Sequence, residues 1–567
     1  MAEILLSPGI SVREQDKSQV SGQPVQAGAA IIGPTVKGPV ELPTLVGSYS
    51  QYVNKFGDDF ISGSDVFSYF TSIAAYNYFN NGGDTLLVAR VVSGSYTSAT
   101  STVISSSLAT STFTLKTISK GIVMNNTGAM DSTGALTSGS MDNIRWEIIS
   151  PNTASGTFGL IIRQGNDITN SKTVLESFTN LSLDPKSNNF VSRVIGDYVY
   201  SYNPSTVQVD LTGSYTNNSS FVYVSSVDLL TPDYLDNSGV AKNQYTASIP
   251  LAASGAFFGA TGNIKGNAQF YNNINNTDTQ GLVASNYTNM INLLSNKDDY
   301  RFNLLIAPGL IDAFASHTSA ISNIVLNTQQ RGDNMFVLDP VGYGATSTST
   351  ITQAASRDTS YAASYWPWCQ ILDPSSGKNV WVPTSVMIAG VYAYNDRVSE
   401  PWFAPAGINR GGLGTVIRVE QKLNQSTRDA LYTGKVNPIA SFPGQGIVVY
   451  GQKTLQTKAS ALDRVNVRRL LIELKSYISQ VANTLLFEQN STSTRNTFLG
   501  QVNPYLSSVQ QRQGLYAFKV VMDETNNTAD VIDRNQMVGA IYVQPTKTAE
   551  FIYLDFIITP TGATFPA

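Results

Sequence analysis

Apolar and polar positions repeat with two different periods along this chain, and the places where the period changes mark its units. Ala29-Ala30-Ile31-Ile32 is a continuous apolar run that predicts a buried strand, followed by turns at Gly33-Pro34 and Gly38-Pro39. Val66–Phe79 reads as a helix, Gly82-Gly83-Asp84 breaks it, and Thr85–Val92 is a β-branched strand, so the segment is a strand–helix–strand unit. The same texture returns later, with helices at Tyr287–Leu294 and Ile311–Gln330 and strands at Phe302–Ala307, Met335–Leu338 and around Trp381–Ala389. These pieces predict one discontinuous α/β middle domain, residues 26–92 and 285–380.

Between them, residues 93–284 shift to Ser, Thr, Asn and Gly with short alternating runs such as Thr112–Leu115, Trp146–Ile149 and Phe221–Val224. The expectation is a β-rich insertion of one or two domains, placed in an exposed loop. Tyr198, Tyr200, Tyr202, Phe221 and Tyr223 argue for packed structure rather than a linker.

Residues 381–567 predict an α+β domain. Ser460-Ala-Leu-Asp463 fits an N-cap box, and Val467, Leu471, Leu474, Ile478, Val481 and Leu485 form the seam of a long amphipathic helix. Strands are expected at Tyr516–Met522, Met537–Val543 and Glu550–Ile558, the first with an apolar face of Tyr516, Phe518, Val520 and Met522. Residues 1–25 predict an extended arm with one short strand, in which Ile10 and Val12 alternate with Ser11 and Arg13. A lone short strand buries no face by itself, so this one must pair with a sheet in its own chain or in a neighbour.

At 567 residues the chain exceeds one hydrophobic core. Only 13% of its residues are charged, so its surface is largely uncharged polar and suits close contact with protein. A net charge of -4 argues against nucleic-acid binding, which needs gathered Lys and Arg. The start lacks a secretory pattern and no run of about 18 apolar residues occurs, which predicts a product of the cytoplasm that spans no membrane. One Cys (Cys369) and one His (His317) exclude intrachain disulfides, Cys-rich zinc sites and paired-His metal motifs. His317 falls inside a predicted helix and Cys369 within an aromatic run, so both read as structural. Gly342-Tyr-Gly344 and Gly444-Gln-Gly446 lack the third glycine of a dinucleotide fingerprint, and no phosphate loop follows Gly377-Lys378 or Gly434-Lys435. No cofactor or metal is expected. Asp333, Asp339 and Asp373, near strand ends, are the carboxylates an enzyme reading would use, against turn and cap roles.

Three C-terminal runs, Glu400-Pro-Trp-Phe-Ala-Pro-Ala-Gly407-Ile-Asn-Arg410-Gly411, Leu462-Asp-Arg464-Val-Asn-Val-Arg468-Arg469 and Asn526-Asn-Thr-Ala-Asp-Val-Ile-Asp533-Arg534-Asn535, resemble the tail sheath proteins of contractile-tailed bacteriophages. So do Leu6-Ser-Pro-Gly9-Ile, Gly33-Pro-Thr-Val-Lys-Gly-Pro39 and Tyr78-Phe-Asn-Asn-Gly-Gly83-Asp-Thr-Leu-Leu-Val-Ala-Arg90, in order over roughly residues 1–95 and 290–567. Residues 93–284 match no such pattern.

The resemblance implies a non-enzymatic structural subunit whose hexameric rings stack helically around an inner tail tube. The rings contract without nucleotide hydrolysis and drive the tube through a cell envelope. It further implies an α+β multidomain chain with a C-terminal core domain completed by strands from neighbours. Partners would be neighbouring subunits, the tube, the baseplate and the terminator or neck, with no nucleic acid and no membrane insertion. The location would be the virion tail, assembled in the bacterial cytoplasm. Strand-exchange candidates are Ile10 and Val12 in the arm and Phe551, Ile552, Tyr553, Leu554, Phe556 and Ile558 at the end, with pairing inside the chain as the alternative. On a helical wheel with Val467 at zero, Arg464, Lys475 and Arg468 fall at about 60°, 80° and 100°, on one flank of the seam. That flank is the candidate tube-facing surface, against a solvated or internally paired helix face. A tailocin or injection-system sheath, a β-rich surface or adhesin-like protein and a carbohydrate-active enzyme are the competing readings.

Overall fold

The structure, a computed structural model, describes residues 25–105, 108–263 and 270–553. Its largest element is an eight-stranded sheet in the order Thr44–Val46, Leu86–Arg90, Val25–Gly33, Tyr300–Ile311, Met335–Asp339, Ala362–Trp366, Val436–Phe442, Gly446–Val449. The six inner strands are parallel and the outermost strand on each side is antiparallel. Parallel strands need long crossovers, which cover both faces with helices and bury both sets of alternating side chains. Ala29 and Ile31, with Leu304, Ile306, Met335 and Val337, face helices Phe70–Asn80 and Thr384–Val398. Ala30 and Ile32, with Phe302, Leu305, Phe336 and Leu338, face helices Thr288–Leu293 and Thr318–Arg331. This is why the strands read as unbroken apolar runs rather than as alternation.

The sheet extends further along the chain than the sequence suggests. Val436–Phe442 pairs with Ala362–Trp366, so the α/β unit reaches Val449 and does not stop at residue 380. The expected strand at Trp381–Ala389 is a short strand, Asn379–Val382, followed by a helix, Thr384–Val398, that is buried from Thr384 to Ala393. A helical stretch buried on all sides, as these ten residues are, has no polar face, so its sequence resembles a strand. The expected helix at Ile311–Gln330 starts only at Thr318, because Tyr300–Ile311 continues as sheet and pairs Ile311 with Asp339.

Residues 98–260 contain a four-stranded sheet built around Ile144–Asn152 and Thr157–Gln164 and a three-stranded sheet built around Ser111–Lys120. Val103, Phe113 and Leu115 from one sheet and Trp146, Ile148, Phe158 and Leu160 from the other share a single core, which makes the insertion one packed domain. Trp146 Nε1 donates to Ser101 Oγ at 2.7 Å across the two sheets.

Beyond the sheet, helices Val465–Asn483 and Thr492–Gln511 pack through Leu470, Leu474, Phe498, Val502, Leu506 and Val509. Trp402 lies in the same core, and its Nε1 donates to the Arg512 carbonyl at 3.1 Å while Glu400 pairs with Arg512 at 2.8 Å. The Glu400-Pro-Trp402 run is thereby the joint that fastens the C-terminal unit to the end of helix Thr384–Val398.

Asp339, at the end of a central strand, is fully enclosed and accepts from Ser385 N (3.0 Å), Ser385 Oγ (2.6 Å) and Thr384 Oγ1 (3.1 Å). It caps a helix whose N-cap, Pro383, supplies no side-chain cap. Burial pushes its carboxyl up from 3.8 to about 6, against the pull of the Ser385 and Thr384 bonds. The folded chain keeps this proton where the unfolded chain has lost it, so the Asp339 contribution to stability is greatest below 3.8, falls as pH rises and levels off above 6. Urea melts are expected to show a loss of about 3 kcal/mol across that window relative to Asp339→Asn, which lacks the titration. Parallel stability curves for the two proteins would refute it.

Candidate assembly interface

The C-terminal unit carries a sheet of only two strands, Leu515–Val521 and Ala540–Pro545, paired antiparallel with Phe518 opposite Val543 and Val520 opposite Ile541. These four side chains and Met522 pack on the helix pair. A register shift between Leu515 and Ala517 turns Tyr516 away from the apolar face the sequence assigns to it, and its ring is exposed. The connection is closed by the Asn526-Asn527 pair: Asn526 Nδ2 donates to Val521 O at 2.7 Å. Asn527 exchanges two bonds with Val538, each 2.8 Å. Among the described residues neither outer edge of this ladder has a further strand, so both present unpaired backbone groups.

After Pro545 the chain crosses to the α/β unit without strand pairing. Glu550 is its clasp, with one oxygen accepting from Arg464 Nε at 2.8 Å and Gln452 Nε2 at 2.9 Å and the other from the Tyr432 hydroxyl. Phe551 sits edge-on to Tyr432, with ring centroids 6.3 Å apart. Beyond the clasp Phe551, Ile552 and Tyr553 are 67%, 76% and 89% exposed and carry no strand pairing. Ile10, Val12, Leu554, Phe556 and Ile558 lie outside the described residues.

The three candidate cations on the long helix have different surroundings. Arg464 is the helix N-cap and pairs with Asp463 at 2.9 Å and Glu550 at 2.8 Å. Arg468 is buried, lies 4.0 Å over the Tyr361 ring and donates to Ser360 Oγ. Lys475 is exposed and donates to the Tyr361 hydroxyl at 3.2 Å. Arg469, on the other flank, is buried against Asp396 and lies 4.7 Å over Tyr392. The first helical turn thus ties the tail, the strand Ala362–Trp366 region and helix Thr384–Val398 to one another, and of the three candidates only Lys475 has an exposed side chain.

The residues an enzyme would use are in structural roles. His317 is buried at the start of helix Thr318–Arg331, where Nδ1 accepts from Ile311 N at 3.0 Å and burial lowers its basicity. Cys369 is buried in the sheet core, which pushes its thiol far up. Asp333 holds Arg331 at 2.8 Å, and Asp373 closes its own turn through Ser375 N and Ser376 Oγ. Among the described residues no cluster of His, Cys, Asp or Glu suits a metal. Sequence reading misses Glu550, because its partner Tyr432 is 118 residues away and no local pattern links them. It also misses the exposed Leu486-Phe487 pair at the turn between the two helices, although the apolar seam running past its last turn is a readable signal.

Residues 281–455 match the family described as phage tail sheath protein central domain, and residues 457–559 match the phage tail sheath C-terminal domain. The change from one to the other falls just after the last strand of the large sheet. The tail sheath protein of Vibrio phage KVP40 is 44% identical over 224 residues, which are 40% of this chain and 33% of that protein. That of Enterobacteria phage T4 is 42% identical over 193 residues, 34% of this chain and 29% of that protein. The matched stretch spans about a third of the length of these curated relatives. The crystal structure of a sheath tail protein from Listeria innocua shares the fold, with a TM-score of 0.53 over 92% of this chain and 95% of that one at 10% identity. Two consecutive matched domains, on the units that the sheet and the helix pair define, place residues 281–559 in the phage tail sheath family.

Proposed function

We propose that this chain is the structural subunit of a contractile tail sheath. It polymerises as stacked hexameric rings around an inner tail tube in the virion tail and contracts, without nucleotide hydrolysis, to drive the tube through the host envelope. The observation that carries the reading is the two-stranded ladder with open edges, in a chain whose exposed apolar tail begins at Phe551. A two-stranded sheet is marginal alone, and an open edge accepts an added strand. Each main-chain bond gained contributes roughly 0.5–1.5 kcal/mol net, so a five-residue strand adds a few kcal/mol per junction. In this reading Ile10 and Val12 of one subunit and Phe551, Ile552, Tyr553, Leu554, Phe556 and Ile558 of another complete the ladder of a third.

Such links keep the lattice connected while rigid units slide between two packings, and the difference in contacts between those packings supplies the work. The large sheet, buried on both faces, supports rigidity in each unit. Baseplate and neck partners follow from the same reading. For the tube, Lys475 is the exposed cation able to form weak, releasable pairs with acidic groups, while Arg464 and Arg468 hold the helix that presents it.

Purified full-length chain at high concentration is expected to form hollow helical tubes by electron microscopy. A chain ending at Glu550, which keeps the clasp, is expected to stay monomeric with an unchanged melting temperature. Tubes of undiminished length from the truncated chain would refute exchange through the tail. Lys475→Glu is expected to leave self-assembly intact while weakening co-assembly with tube protein, most clearly at low salt. Equal tube-guided assembly by both proteins at low salt would remove Lys475 from the tube contact.

A further inference from the structure

A polar cleft of about 380 Å³ lies where the β insertion joins the α/β unit, lined by Glu41, Arg90, Tyr96, Lys120, Asn286 and Asn289 among others. Its volume is at the lower end of small-molecule sites. Both chain passages between the units contribute to it, the outgoing one through Ser95 and Tyr96 and the returning one through Ser285 to Met290.

The charge in this cleft is unbalanced. Arg90, the last residue of its sheet strand, is 1% exposed. Its Nη1 donates to Gly38 O at 2.6 Å and Lys120 O at 2.8 Å, and Nη2 reaches Val36 O at 3.4 Å. These acceptors are neutral carbonyls, and Nε has no partner. Lys120, half-buried at the end of its own strand, forms no ion pair among the described residues. The one carboxylate on the wall, Glu41, accepts from Asn289 Nδ2 at 3.5 Å. Two cations against one anion leave an excess of one positive charge. A buried guanidinium without an anion is costly, and water-exposed surface would have been the cheaper place for both cations. Burial lowers the basicity of both groups, Arg90 to about 10.

We infer that this cleft is a binding site for a small oxyanion such as inorganic phosphate, held by Lys120 and the buried edge of Arg90, with Asn286 and Asn289 in the lining as neutral donors. An anion there bridges the insertion to the body of the subunit at the point where both connections cross, and so fixes the insertion's orientation. The site is independent of the assembly reading, since it uses neither the ladder nor the tail.

Isothermal titration of the full-length chain, kept dilute, with inorganic phosphate tests the inference. Saturable binding with a Kd of about 1 mM or tighter is expected at low salt. Lys120→Met removes a cation that forms no ion pair among the described residues, so it is expected to weaken binding about tenfold or more with an unchanged circular dichroism melting curve. Glu41→Gln keeps an acceptor for Asn289 and removes the repelling charge, so it is expected to tighten binding about threefold or more. Absence of saturable heat, equal affinity in Lys120→Met, or weaker binding in Glu41→Gln would each overturn the assignment.

Discussion

A β-ladder of two strands has two open edges and is marginal alone, and the proposed assembly turns on what completes them. In this chain Leu515–Val521 and Ala540–Pro545 bury one face on the helix pair, yet among the described residues neither flank has a further strand. Soluble proteins generally blunt such edges with charge, proline or a covering loop. Here the connection is instead stiffened by Asn526 and Asn527, which hold the hairpin in register without covering it. In the proposed reading this edge receives strands from neighbours, and the rest of the architecture positions the tail that would supply one.

The start of the tail is held by the first turn of the long helix. Arg464 holds Glu550, Arg468 lies on Tyr361, and Arg469 meets Asp396 and Tyr392, so three consecutive structural layers meet within two turns. Glu550 holds the start of the tail to the subunit through three donors. Charged residues that looked from the sequence like a surface stripe thus act mostly inside the subunit. The tryptophan joint at Trp402 completes the same connection from the other side.

Legibility in the sequence followed the range of the interactions. The buried strands at Ala29–Ile32 and Met335–Leu338 and the amphipathic helix after Asp463 were readable because local period and burial agree there. Helix Thr384–Val398 was not, because its first ten residues are buried on all sides and have no amphipathic period, and the reach of the sheet to Val449 depends on pairing with a strand about 70 residues earlier. The roles of Arg468 and Glu550 were hidden for the same reason, since helical spacing states which residues share a face but not what covers it. The sheath motifs were legible as motifs before their work was: two of them are joints between units, and the third closes a hairpin.

The central claim is that neighbours complete the ladder. Cryo-electron microscopy of the assembled full-length chain, at a resolution that traces the backbone, tests it most directly. The account predicts a sheet in which Leu515–Val521 and Ala540–Pro545 are flanked by strands from two other subunits, one from the start of a chain and one from the residues after Glu550. A lattice in which both edges stay bare, or in which the tail of the same chain pairs with its own ladder, would contradict it.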